Sequence, residues 1–147
     1  MKKLVFCTGK LFYELDAQRT ESGNNTVAIV RVEQLTPFPA EEIRAQVAKY
    51  RGAEIVWAQE EPENCGAWQA MLGKFLTHLG CTPSYVGRPA QSSSAVGSTK
   101  RHAKEQAKIV ATAVGAPAGG TVGNKDSAGS TSAATQNPSS GKGRSAR

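Results

Sequence analysis

Apolar positions along the chain switch between two periods, and the alternation predicts strands and helices in turn. Leu4 to Cys7 is a short apolar run of strand length. After a turn at Thr8-Gly9, Leu11, Phe12 and Leu15 fall on one side of a predicted helix from Lys10 to Glu21. Ser22-Gly23-Asn24-Asn25 ends that helix with residues that tolerate the left-handed conformation. Val27 to Val32 is continuously apolar up to Arg31, the pattern of a parallel strand buried on both faces. A second helix spans Ala40 to Tyr50, with Ile43 and Val47 four apart and Glu41 and Glu42 in its first turn. Glu54 to Ala58 is a third strand, and Ala67 to Leu79 a third helix with Met71, Leu72, Phe75, Leu76 and Leu79 on one side and Gly80 as its cap. Thr82 to Val86 reads as a weaker fourth strand, Arg88 to Thr99 as a loop, and the stretch from Ser98 or Thr99 to Val114 as a last helix. Strands alternating with helices of this length predict βαβ units, a mostly parallel sheet and helices on both faces: an α/β/α sandwich.

Two segments turn abruptly from apolar to polar. VAIVRVEQLTPFP carries Glu33-Gln34 and EIVWAQEEPENCGAW carries Gln59-Glu60-Glu61, and a proline follows each, Pro37 or Pro62. Parallel strands end at one common edge, where α/β proteins meet ligands and partners. The candidate interface or effector residues are therefore Arg31, Glu33, Gln34, Gln59, Glu60, Glu61 and Arg88.

Composition sets the limits. From about Gly115 onward the chain has almost no large apolar residue, which predicts a folding unit over residues 1–115 and a low-complexity, disordered tail over 116–147. The net charge is +6, and half of it sits in that tail, where Lys125, Lys142, Arg144 and Arg147 outnumber Asp126. The densest basic cluster elsewhere is Lys100, Arg101, Lys104 and Lys108 on the last helix. This distribution does not make the basic stripe of a nucleic-acid-binding domain, so no nucleic-acid partner is expected. No apolar run reaches the ~20 residues of a membrane span, so no membrane is expected either. Cys7, Cys65 and Cys81 are odd in number and lack metal spacing, as reduced thiols would be.

Candidate chemistry is sparse. Thr8-Gly9-Lys10 follows a strand, but a phosphate loop needs more glycines and a Ser or Thr where Leu11 stands. Glu60 and Glu61 are adjacent on extended chain and point to opposite faces, so they do not share a proton. The simpler role for these carboxylates and Glu33 is to hold inter-domain hydrogen bonds or to pair with Arg31 and Arg88. His78 and His102 lack a carboxylate at a fixed spacing, and surface positions are expected for both. Cys7 reads as a small core residue and Cys65 as the more exposed thiol. Trp57 and Trp68 fit either a core or an interface patch.

Five landmarks in order, VFCTGKLFYEL, VAIVRVEQLTPFP, QEEPENCGAW, YVGRPAQSSSAVGS and KRHAKEQ, resemble the C-terminal domain of the decarboxylating component of 2-oxoglutarate dehydrogenase. The related 2-oxoadipate family is similar, but tends to read EEL at Glu33-Gln34-Leu35. The resemblance implies a transketolase-like C-terminal fold, usually with five strands where the pattern here predicts four. It implies a homodimeric parent that uses thiamin diphosphate and magnesium and passes a succinyl group to a lipoyl-bearing succinyltransferase. In that family other domains hold the coenzyme and metal, so no cofactor-binding, metal-binding or catalytic residue is expected here. The implied role is structural and regulatory, through packing on those other domains and on the dimer mate. A coenzyme A thioester activates some bacterial members, so an effector module for such an ester or a nucleotide is the alternative. The parent would work in the mitochondrial matrix or, in bacteria, the cytoplasm. The first landmark lies deep in a much longer polypeptide in that family, so a fragment or a split gene is expected.

Overall fold

In a computed structural model, which describes residues 1–115, the chain runs β1 (Lys3–Cys7), α1 (Leu11–Glu21), β2 (Val27–Arg31), α2 (Ala40–Lys49), β3 (Glu54–Pro62), α3 (Trp68–Leu79), β4 (Ser84–Arg88) and α4 (Thr99–Val114). The expectation for residues 116–147 lies outside the described residues. All strand pairs are parallel, in the order β2-β1-β3-β4. Lys3 sits level with Val27 on one side and Glu54 on the other.

β1 is central because every one of its inner side chains is apolar. Val5 and Cys7 point to one face and Leu4 and Phe6 to the other, all fully buried. Strand alternation therefore feeds two cores at once. On the first face α1 and α4 cover Val5, Val56, Ala58 and Val86 with Leu11, Leu15, Ile109 and Val114. On the second, α2 and α3 cover Leu4, Phe6 and Trp57 with Ile43, Trp68, Met71 and Phe75. Phe6 and Phe75 meet edge to face at 5.3 Å between ring centres, a contact worth about 1 kcal/mol beyond its buried area. Both tryptophans are core residues, which decides between the two readings left open by the sequence.

The departures from the sequence pattern that bear on the site are in β2, β3 and β4. β2 ends at Arg31, and Ile29 and Val30 are only half-buried, because β2 is an edge strand and not an inner one. β3 continues through Gln59, Glu60 and Glu61 to Pro62, although those residues read as a loop. It does so because β4 extends the ladder to Pro62 and Arg88, with a register shift after Ala58. β4 starts two residues later than expected, at Ser84, just after the buried Pro83, which has no N–H for a ladder. Four strands leave β2 and β4 as edges among the described residues.

Gly87 is a packing requirement. A β-carbon there would lie 2.1 Å from the Tyr85 hydroxyl and 2.5 Å from the ring carbon that bears it. That ring packs on Trp68 at 5.1 Å, so it cannot swing freely. Gly87→Ala is expected to destabilise the domain by about 1–3 kcal/mol in urea denaturation. Adding Tyr85→Ala should remove most of the further loss due to Gly87→Ala. Additive losses in the double variant would show that the clash is not the cause.

Candidate functional site

The C-terminal ends of the strands collect the polar candidates, and strand order reverses between β1 and β3, the point at which open α/β sheets form a crevice. Lys10, just after β1, spans it: its Nζ lies 2.6 Å from Glu60 Oε1 on β3 and 3.3 Å from Glu14 Oε1 on α1. The hydrogen bond to Glu60, more than that to Glu14, raises the pKa of Lys10. On the other side of β1, Glu33 Oε1 accepts a hydrogen bond from the Gly9 amide at 3.1 Å and pairs with Arg31 Nε at 3.2 Å. The chain's own carboxylate thus sits where a phosphate loop would seat a phosphate, and Thr8-Gly9-Lys10 is a strand-to-helix turn. Arg31 also donates to the Tyr13 hydroxyl at 2.8 Å and lies over the Phe12 and Tyr13 rings.

Gln59 leaves the set of interface candidates. It is 2% exposed and its amide is used entirely within the domain. Oε1 accepts from Trp57 Nε1 at 3.1 Å and from the Trp68 amide at 2.9 Å. Nε2 donates to the carbonyls of Cys65 at 2.8 Å, Pro62 at 3.1 Å and Glu61 at 3.3 Å. α3 has no side-chain cap of its own at Ala67 and no acid in its first turn. Gln59 therefore supplies its N-terminal acceptor from a neighbouring strand. Gly66, at φ +68°, permits the close turn, since a β-carbon there would meet the Gln59 amide at 3.1 Å and Glu61 Cβ at 3.0 Å.

Glu61, next in line, is exposed, and its carbonyl lies 3.0 Å from the Tyr85 hydroxyl. The same hydroxyl lies 2.7 Å from the Arg88 carbonyl, and its one proton serves one acceptor at a time. Burial pushes the Tyr85 phenol up to about 12. Gln34 is exposed and donates to the Pro37 carbonyl at 3.0 Å within its own loop. That loop holds a cis Thr36-Pro37 peptide and is tied to α3 by Lys74, which donates to the Leu35 carbonyl and to Thr36 Oγ1.

Arg88 does not pair with the edge carboxylates. It is 6% exposed and turned toward α4, with Nε 3.0 Å from Glu105 Oε2 and Nη2 2.9 Å from His102 Nδ1. The Glu105 approach lies off the N–H direction, so it is an ion pair and not a straight hydrogen bond. His102 is correspondingly half-buried, not on the surface as expected, because Arg88 draws it in. His78 is exposed. Arg101 Nε closes the cluster at 2.6 Å from Glu105 Oε1. The partners Lys10, Lys74, His102 and Glu105 gave no signal in sequence, since each lies far along the chain from what it holds.

Arg31 and Arg88 end the two outermost strands, about 14 Å apart across three strand spacings. With Arg101 also paired, these cations do not converge on one anionic effector. Among the described residues no three His, Cys, Asp or Glu side chains gather at metal-binding distance. Glu33 and Glu60 are each held by a cation. Burial, reinforced by Glu33 and opposed by Arg31, pushes the Cys7 thiol up to about 12, so it is no nucleophile. Among the described residues no helix is long and apolar enough to cross a membrane.

A family model described as 2-oxoglutarate dehydrogenase C-terminal matches residues 1–114. The chain belongs to that family. It is 44% identical to the mitochondrial 2-oxoglutarate dehydrogenase of Caenorhabditis briggsae over 121 residues, which are 80% of this chain and 12% of that protein. The Caenorhabditis elegans protein of the same name matches equally well. The 2-oxoglutarate dehydrogenase E1 component of Brucella anthropi is 38% identical over 78% of this chain and 12% of its own length. The chain thus spans about an eighth of the relatives it matches, and corresponds to their C-terminal domain. The relatives include mitochondrial and bacterial proteins.

Two predictions follow from the geometry. Gln59→Leu keeps the bulk but strands the Trp57 indole and the Trp68 amide and leaves the Cys65 carbonyl without its donor, and should cost about 2 kcal/mol or more in urea denaturation. A loss below about 1 kcal/mol would show that the amide is not the organiser. Second, Arg101, with smaller help from Arg88, lowers the pKa of Glu105 below its ordinary 4.5. A depressed carboxylate stabilises the fold fully above the ordinary value and loses that contribution as pH falls through the lowered one. Glu105→Gln should therefore flatten the decline in stability below pH 4.5 relative to the parent chain, measured by urea midpoints across an acid series.

Proposed function

We propose that this domain is a structural and regulatory part of a 2-oxoglutarate dehydrogenase, without catalytic groups of its own. Its strand-end edge packs on the other domains of the enzyme and supports the dimer. The observation that carries the proposal is the closed state of the polar edge. Its carboxylates are tied to Lys10, Arg31 and the Gly9 amide, while the exposed Arg31, Glu33, Gln34 and Glu61 remain on a fixed frame. Fixed, self-neutralised polar groups around an apolar body suit the rim of a protein interface, where charges set register and exclude wrong partners. They do not suit proton transfer, which needs a base free to reach substrate.

In this reading the parent uses thiamin diphosphate and magnesium, held by other domains, to decarboxylate 2-oxoglutarate. It hands the succinyl group to a lipoyl-bearing partner in the tricarboxylic acid cycle. The residues described here fit neither the coenzyme's metal nor its activation, and no step of that reaction is assigned to them.

The 147-residue chain with 2-oxoglutarate, thiamin diphosphate and magnesium should release no carbon dioxide. Turnover by pure chain would overturn the proposal. Glu61→Arg should change stability by less than about 0.5 kcal/mol, whereas Arg31→Glu, which loses its contacts with Glu33, Tyr13 and Phe12, should cost about 1 kcal/mol. Both should weaken capture of the chain by the Brucella anthropi enzyme truncated to lack its matching C-terminal residues. Unchanged capture by both variants would remove this edge as the interface.

A further inference from the structure

On the far side of the molecule from α2 and α3, a groove of about 310 Å³ runs between β4 and α4. It shares Tyr85, Arg88 and Glu105 with the contacts above, but not Lys10, Glu33 or Glu60. We propose that it is a docking site for an extended acidic segment of a partner protein, which adds to β4 as a fifth strand. This goes beyond the proposed function and does not depend on it.

Three features carry it. First, β4 pairs with β3 alone, so every second N–H and C=O on its outer side lacks a strand partner among the described residues. Such edges are usually blocked by proline, an inward charge or a covering loop. Pro83 and Pro89 bound Ser84–Arg88 without lying within it, and its one charge, Arg88, is turned to Glu105 and His102 on α4, so the backbone between the prolines is the part left open. Second, α4 stands beside that edge and makes the wall of a slot, the arrangement that lets an added strand bury its side chains as well as pair its backbone. The slot has an apolar floor from Val86 and Ile109. Third, the charge is one-sided. Arg88 and Lys108 line the slot against Glu105, and both oxygens of Glu105 are taken by Arg88 and Arg101. Lys108 is exposed, has no acidic partner among the described residues, and continues the row of Lys100 and Lys104 at four-residue spacing along α4.

Those features define the occupant. Alternate side chains of an added strand face α4. One of them should be apolar, over Val86 and Ile109, and the next on that face should be a carboxylate, toward Lys108. A basic or proline-rich segment would fail on charge or on backbone pairing.

The test uses the 147-residue chain and a dye-labelled seven-residue peptide that alternates threonine with valine and glutamate. Saturable binding in fluorescence anisotropy is expected, together with NMR shifts confined to the amides of Ser84–Arg88 and the facing turns of α4. Methylating alternate peptide nitrogens should abolish binding, and replacing glutamate by lysine should do the same. Lys108→Glu should weaken binding about tenfold, while Lys49→Glu on α2 leaves it unchanged. Both positions are exposed, so each variant keeps the fold. Equal binding of the methylated or lysine peptide, shifts elsewhere, or no saturation at millimolar peptide would overturn the proposal. So would β4 amide shifts that grow with chain concentration alone, which assign the groove to a second copy, or equal shifts on adding a DNA duplex.

Discussion

The five hydrogen bonds around the Gln59 amide set the shape of everything at the strand ends. A primary amide has two donors and one oxygen with two lone pairs, so three carbonyls and two N–H groups saturate it, with one proton shared. The Trp57 indole and the Trp68 amide meet it in buried surroundings, and each would otherwise be a stranded dipole costing about 1–3 kcal/mol. That penalty fixes where β3 stops, how the chain turns through Pro62 to Cys65, and where α3 begins. The positions of Glu60 and Glu61 are consequences. Glu60 faces the crevice where Lys10 can reach it, and Glu61 faces solvent, because the backbone beneath them is held.

Electrostatics then follow from geometry with little freedom. Arg31 and Glu33 pair within one segment, whereas Lys10 with Glu60 and Arg88 with Glu105 tie together elements distant in sequence. Exposed pairs of this kind contribute little to stability, with a median below about 1 kcal/mol. Their effect is to cancel charge locally and to hold side chains in one place. Arg88 is different. At 6% exposure an unpaired guanidinium would be costly, so Glu105 and His102 are required by its burial.

The layers, the strand directions and most members of both cores were legible in the sequence, since period and run length report burial; Leu76, on the expected apolar side of α3, is instead 57% exposed. The closing parts of β3 and β4 were not. Gln59, Glu60 and Glu61 are polar, and polarity in a run reads as loop. They are strand because a neighbour 26 residues away, Arg88 opposite Pro62, continues the ladder, and pairing at that distance leaves no local mark. Gln59 is the sharper case. It looked like a recognition residue because it is polar beside two glutamates, yet it is among the most buried side chains of the edge. Nothing in a single glutamine distinguishes an amide that meets a partner from one that satisfies a buried indole. The pair Trp57 and Gln59, two apart and hence on one face of a strand, was the available clue. Arg88 failed for the same reason in reverse, because its partners lie on a helix whose register against β4 is set by Val86 and Ile109 in the core.

The contrast between the two open sides of the sheet bears on how such a domain works within a longer chain. At the strand ends, internal pairing has consumed most of the available charge, so a surface docked there gains mainly from shape and from a few exposed groups on a stiff frame. Along β4 the reverse holds: among the described residues its outer backbone groups have no strand partner, the floor is apolar, and Lys108 has no acidic partner. A rigid, neutralised edge favours a permanent contact, because desolvating groups already paired costs little more when a large surface covers them. An unpaired strand edge with surplus positive charge favours a segment that arrives already extended and acidic, since it supplies hydrogen bonds and charge together. One fold thereby carries two kinds of surface, and the buried amide that stiffens the first leaves β4, one strand away, free to serve the second.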